Sequence, residues 1–482
     1  MKNIHIICLL AISLIIASCS DKFIELDPIS TVNVDNLYKT DKDFQDAVLG
    51  CYAVFREQYK SFWELTDLRS DDSWHQLGND SRRISYDVFT LDPNVSSLRN
   101  NWLNYYKVIN LANTMLVKIE GADEAIVVNK ARHIGEAKFL RALAYFDLVR
   151  LFGDVPMPTT PLTIEEAYNA GRTSVTTIYN DVIIPDLMVA ETNLPTSYAG
   201  ADVGRATSGA AKALLGKVYL TVKDFPKAEA KLQEVTTMGY DLLANYTDLF
   251  DYTKDEHHSE YIFDIEYEQG LGDLGSPFTN NFLPKSVGGT AEAYFGVIGG
   301  AEEMNQPTQD LIDAFEPQDL RKDVTGIGGG GFYDETGFFH RWVAMNTFTK
   351  KYVTNITTHH DSPANWKVIR YADVLLMYAE ALNENNKTDE ALAPLNRIRR
   401  RAGVEEYENL DQGTAREKIW QERRLELAME GHRWFDLLRT ERAFSVMEKY
   451  GMKAYMTVFP IPLGEIRVIN NENVLYQNPG YN

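Results

Sequence analysis

Apolar residues recur at helical spacing along most of this chain. From about residue 41, Phe44, Ala47, Val48, Cys51, Tyr52 and Phe55 share one face, which predicts an amphipathic helix. The same period runs through residues 102–119, 125–152 and 175–192. Residues 208–239 read as two helices joined by a short turn, with Gly216 and Ala228 small enough for close approach. Residues 371–401 repeat that arrangement, with Leu376, Ala379, Ala381, Ala391 and Leu395 in comparable places. Two stretches break the period. Residues 60–100 are polar and irregular and carry Trp63, Trp74 and His75 beside Asp71 and Asp72, a pair that reads as a cap or turn. Residues 240–366 alternate like a strand at 261–267, then pass through glycine-rich loops.

The two helix pairs resemble tetratricopeptide units, which bury their faces against one another and stack into an α-solenoid. The expected architecture is therefore mostly α: helical repeats at about 41–240 and 367–442, interrupted by a long, loop-rich insertion with short strands at about 240–366. Insertions of that length on a rigid scaffold are where binding residues concentrate. This one holds Phe282, Tyr294, Phe295, Phe332, Tyr333, Phe338, Phe339 and Trp342.

Near the C-terminus, residues 412–442 read as one helix ending near Gly431 and a shorter one after it. Thr414 is the expected cap, with Glu417 closing a capping box. Ile419, Leu425, Ala428 and Met429 form its apolar face. Glu422, Glu426 and Glu430 make a like-charged stripe that needs cations opposite it. Arg423, Arg424 and Arg433 are near candidates, and the run Arg397, Arg399, Arg400, Arg401 a distant one. Such matched charges among core residues predict an ion-pair lattice and not an active site.

The first 18 residues form a targeting segment: Lys2, then an apolar run too short to span a membrane. It ends Ile16-Ala17-Ser18-Cys19, which resembles a lipobox and marks Cys19 for acylation, with residues 19–482 as one tethered domain. Acidic Asp21 and Glu25 follow. Of three cysteines, only Cys51 lies in the body, so no disulfide framework is expected there, and its place on an apolar stripe predicts a buried core thiol.

Composition narrows the function classes. With 482 residues, 44% hydrophobic and 24% charged, the chain affords a sizeable core. A net charge of −21 argues against nucleic acid and against direct attraction to anionic lipid. Tyr 26 and Phe 22 supply flat rings suited to sugar or peptide recognition, although helical-repeat cores use them too. No catalytic motif emerges. Gly326-x-Gly328-x-x-Gly331 lacks the strand and helix of a dinucleotide site, and the pairs His257-His258 and His359-His360 lack metalloprotease spacing. The chain is read as a non-enzyme with no cofactor and no metal.

Three runs resemble the SusD/RagB family of nutrient-binding outer-membrane lipoproteins: Glu422-Arg423-Arg424-x-Glu426-Leu427-Ala428, then Glu430-Gly431-x-Arg433-Trp434-Phe435-Asp436-Leu437 with Arg439, and a tail with Phe459-Pro460-Ile461-Pro462 and Gln477-Asn478-Pro479-Gly480-Tyr481. The lipobox and N-terminal segment agree with it. The resemblance implies a right-handed helical-repeat platform seated on a SusC-like TonB-dependent transporter. It would capture a glycan, or less often a peptide, and act as a lid. Expected ligand contacts, chosen by loop position and residue type, are Trp74, Tyr333, Phe339 and Trp342 for stacking, with Asp72 and Arg341 as polar partners. The alternative is a tetratricopeptide scaffold that binds only protein.

Overall fold

The computed structural model describes residues 37–75, 80–254 and 256–481. The targeting segment and Cys19 lie outside them. Ten helices carry the scaffold: α1 (Asp41–Tyr59), α2 (Ser96–Glu120), α3 (Lys130–Phe152), α4 (Ile184–Asn193), α5 (Ser208–Thr221), α6 (Phe225–Thr236), α7 (Tyr371–Glu384), α8 (Thr388–Ala402), α9 (Gln412–Glu426) and α10 (Arg433–Arg439). Among the described residues no helix is long and apolar enough to cross a membrane.

Thr40 and Asp43 cap α1 reciprocally, and Phe44, Val48, Cys51, Phe55 and Tyr59 face inward. Cys51 is fully buried, as its stripe predicted, and burial pushes its thiol up to about 12. Helices α1, α2 and α3 pack together, with α4 and then α5 following on. Arg141 of α3 donates to both carboxylate oxygens of Asp186 on α4 (2.7 and 2.9 Å) and to Asn113 on α2 (2.6 Å), so three helices share one buried guanidinium. Helix α5 lies so close to α6 that a Cβ on Gly216 would sit 2.6 Å from Leu232 Cδ2.

The second repeat unit, α7 and α8, packs against the first through α6 and α7, although the long insertion separates them in sequence. Among the described residues, four two-stranded ladders punctuate the helices: β1 (Ser73–Trp74) with β5 (Gln306–Pro307), β2 (Val155–Pro156) with β3 (Arg172–Thr173), β4 (Tyr261–Ile265) with β8 (Trp366–Arg370), and β6 (Gly331–Tyr333) with β7 (Phe339–Arg341), all antiparallel. The β4–β8 ladder closes the insertion at its base. Its register pairs Tyr261 with Arg370 and Ile265 with Trp366.

Two expectations for the C-terminal helix change. Asp411, not Thr414, caps α9, accepting from Thr414 N at 3.0 Å; Thr414 sits one turn inside. The helix ends at Glu426, before Gly431. Residues 427–432 turn instead, with Met429 at φ +64 and Gly431 at φ +78. The turn aims Glu430 at Arg370 and Lys351 and lets Gly431 N donate to Asp67 Oδ1 at 2.9 Å. Any side chain at 431 would press on Phe62, Thr66 and Trp366, each about 3.0–3.1 Å away.

The carboxylate stripe is an ion-pair lattice, as expected, but the near candidates do not complete it: Arg423 pairs with Asp373 and Asp436, Arg424 with Asp72, and Arg433 with Asp71. Glu422 pairs with Arg321 (2.6 Å) and Arg399 (2.8 Å). Glu426 meets Arg321, Arg370 and Arg401, and Glu430 meets Arg370 and Lys351. Burial raises both carboxyls, but the facing cations outweigh it: Glu430 is held at about 2 and Glu426 lower still. The basic run divides by helical face. Arg399 and Arg401 enter the lattice, while Arg397 pairs with Asp241 and Arg400 with Glu406.

Candidate functional site

The insertion builds a small hydrophobic core of its own from Leu283, Ala291, Ala301, Phe332, Trp342, Phe348 and Val353. The β6–β7 hairpin covers it. Strand alternation decides what each residue faces. Phe332 and His340 are cross-strand partners pointing inward, their rings stacked at 4.7 Å. Tyr333 and Phe339 are the next pair and point outward, 71% and 40% exposed, with ring centroids 4.8 Å apart. Arg341, two residues on from Phe339, shares that outer face.

The turn is held by Asp334. Its Oδ1 accepts from Thr336 N, Thr336 Oγ1 and Phe338 N at 2.7–2.9 Å, and His340 Nε2 lies 3.1 Å from Oδ2. The Thr336 hydroxyl foremost, with those backbone donors, holds the Asp334 carboxyl at about 2. Gly331 sits at φ +144, and a Cβ there would meet His340 O at 2.1 Å, so only glycine allows this pairing. Around the hairpin, Tyr294, Phe338, Val343 and Met345 are also exposed. Tyr294 packs on Phe332 and His340, and its hydroxyl bonds Glu335. Large apolar side chains exposed beside one another on a braced hairpin offer a contact surface.

Of the residues expected to bind, the structure gathers Tyr333, Phe339 and Arg341 on one face. Trp74 is half-buried on β1, and its indole N–H donates to Thr347 Oγ1 (3.2 Å), in the segment that follows Trp342 and β7. Two expectations are corrected. Trp342 is 2% exposed, packed against Phe332 and Phe348 in the insertion core, and cannot stack on a ligand without that core opening. Asp72 is equally buried and is claimed by Arg424, whose Nε donates to its Oδ1 at 2.6 Å, while Arg433 grips Asp71 with two bonds (2.8 and 2.9 Å). This acidic pair therefore fastens the loop before Trp74 to the C-terminal helices. Tyr294 and Phe338 belong to the exposed set, but the sequence holds them indistinguishable from buried Phe282 and Phe332.

A helical-repeat scaffold presenting a braced aromatic face defines a binding protein. Two family models match the chain: the SusD family over residues 334–481, and a family described as "Starch-binding associating with outer membrane" over residues 22–220. Two SusD-like proteins of Formosa agariphila are 28% and 29% identical, covering 94% and 98% of this chain and 94% and 99% of their own lengths. A solved structure titled as a laminarin-binding SusD-like protein superposes with a TM-score of 0.79 at 28% identity, over 92% of this chain and all of that one. The chain belongs to the SusD/RagB family.

Proposed function

We propose that this protein binds an oligosaccharide on the hairpin face of the insertion and delivers it to a SusC-like TonB-dependent transporter, over which it acts as a lid. The carrying observation is the outward Tyr333–Phe339 pair, with Arg341 beside it on a hairpin fixed by its own small core. Two flat rings offer stacking to sugar faces, and the guanidinium offers hydrogen bonds to hydroxyls. Trp74, half-buried on β1 with its indole N–H on Thr347 Oγ1, is a further candidate contact outside that face. The laminarin-binding neighbour and the starch-binding description of the N-terminal family model support a glycan as ligand. Acylation at Cys19 would hold the protein at the outer membrane, where that same description places its family.

The test is calorimetric titration of laminarin and starch oligosaccharides into wild type and Tyr333→Ala/Phe339→Ala. Loss of two stacking contacts at about 1 kcal/mol each predicts roughly 30-fold weaker binding. Unchanged affinity in the double variant overturns the site. Binding of peptides with no binding of any glycan would assign the same face to a peptide ligand.

A further inference from the structure

Away from the hairpin, the fold assembles a group of side chains that their sequence positions do not suggest. Glu302, His359 and His360 place a carboxylate oxygen and two imidazole nitrogens all within 4.8 Å of one another. Among the described residues, no other three histidine, cysteine or acidic residues do so. His360 Nε2 lies 2.8 Å from Glu302 Oε1, and His359 Nε2 lies 3.5 Å from the same atom. The two imidazoles stack at 3.8 Å, so both nitrogens approach the carboxylate from one side.

The support beneath them is buried and shared. Fully buried Asn280 holds the backbone of two ligands: its O accepts from Glu302 N (2.8 Å), and its Oδ1 accepts from His360 N (2.9 Å). Its Nδ2 donates to Ile298 O (2.9 Å) and Gly300 O (2.7 Å), fixing the turn that leads to Glu302. Within that turn, Gly299 at φ +89 lets the His359 ring lie against the backbone; a Cβ there would stand 2.3 Å from its Cδ2. His360 itself adopts φ +58, a conformation that residues other than glycine seldom take. Just beyond, Ser362 is locked to Ser276 by reciprocal backbone bonds of 2.8 and 2.9 Å.

We propose that Glu302, His359 and His360 form a binding site for a divalent transition-metal ion of the Zn²⁺ class. Imidazole and carboxylate donors suit such ions, and protein ligands stand at about 2.0–2.2 Å from zinc. Side-chain rotation of the two exposed histidines closes the remaining distance, while the backbones of Glu302 and His360 stay pinned through Asn280. Three protein ligands leave coordination positions open. Glu302 and His360 also line a polar cleft of about 520 Å³ with Glu64, Arg82, Arg83 and Asn281, so those positions face a space that admits water or an oxygen-bearing ligand. Mg²⁺ and Ca²⁺, which take oxygen ligands, are not expected here.

The site is independent of the glycan reading, and its test does not use a glycan. Zn²⁺ is titrated into metal-stripped mature protein by calorimetry with Mg²⁺ in excess, to suppress diffuse attraction to the acidic chain. Co²⁺ absorption serves as a second readout of nitrogen ligation. One ion per chain is expected, with affinity falling by about 100-fold or more in His359→Ala/His360→Ala and about tenfold or more in Glu302→Gln. Circular dichroism and thermal unfolding verify that the variants fold. Absence of Zn²⁺ binding to wild type, or binding of equal strength in both folded variants, overturns the proposal.

Discussion

Arg370 is the hub of the buried lattice, and removing its charge tests whether that lattice stabilises the fold. Its guanidinium donates to Glu430 through Nε (2.8 Å) and Nη2 (3.0 Å), to Glu260 (2.8 Å) and Glu426 (2.5 Å) through Nη1, and to Glu426 O through Nη2 (2.6 Å). All three carboxylates are fully buried. In Arg370→Met the apolar stem is kept and five hydrogen bonds disappear. Glu260 retains Arg401, Glu426 retains Arg321 and Arg401, and Glu430 retains only Lys351. Breaking a buried pair from one side costs about 3–5 kcal/mol, because the remaining charge is left without its partner. Most of that cost should fall on Glu430, whose carboxylate loses two of the five bonds, against one for Glu260, and is left with one cation. Arg370→Met/Glu430→Gln should therefore recover a coupling energy of about 1–3 kcal/mol relative to the sum of the single changes. Equilibrium urea unfolding followed by tryptophan fluorescence measures all four corners of the cycle. A loss below about 1 kcal/mol in Arg370→Met, or additive single effects, would refute the assignment of Arg370 as the lattice hub.

The remaining expectations concern pH, the hairpin and the anchor. Burial raises the Glu430 carboxyl, but Arg370 and Lys351 bring it to about 2 from the usual 4.5, so it favours the folded state fully above pH 4.5. That contribution, about 3 kcal/mol, is lost as pH falls from 4.5 towards 2, and Glu430→Gln should flatten the measured stability profile in that window. Gly331→Ala forces a Cβ onto His340 O and should weaken oligosaccharide binding with little change in the unfolding temperature, since only the hairpin must shift; preserved affinity would show that the β6–β7 pairing does not shape the site. Cys19→Ala should move the protein from the membrane fraction to the soluble one on fractionation, and retention at the membrane would exclude the acyl anchor.

Local pattern was enough for much of the scaffold. The stripes of α1, α5–α6 and α7–α8 were legible because a helix repeats its inward face every three to four residues, and a long segment averages out single exceptions. Cys51 followed from its place on such a stripe, and the lattice from the density of matched charges. The helix ends were less legible: α3 begins at Lys130, five residues later than its period suggested, because residues before it form turns that carry Asn129 to Asp41.

The hairpin marks where local pattern stops being informative. Strands of three residues with aromatics on both faces have no majority side, so nothing in the sequence tells Tyr333 from Phe332, or Phe339 from Trp342. Only the small core beneath them sets which parity is inside.

The chain's sequence by itself determined the helical repeats, the existence of an ion-pair lattice and the family. The tertiary structure decided which cations complete the lattice, since Arg321, Lys351 and Arg370 arrive from the insertion and its closing strand, far from the glutamates in sequence. It also decided that Asp72 fastens the fold, that Tyr333 and Phe339 face solvent, and that Glu302 meets two histidines more than fifty residues away. Periodicity is a property of neighbours along the chain, whereas these contacts depend on how separate segments are brought together. A charge or a ring receives its role only when that packing supplies its partner.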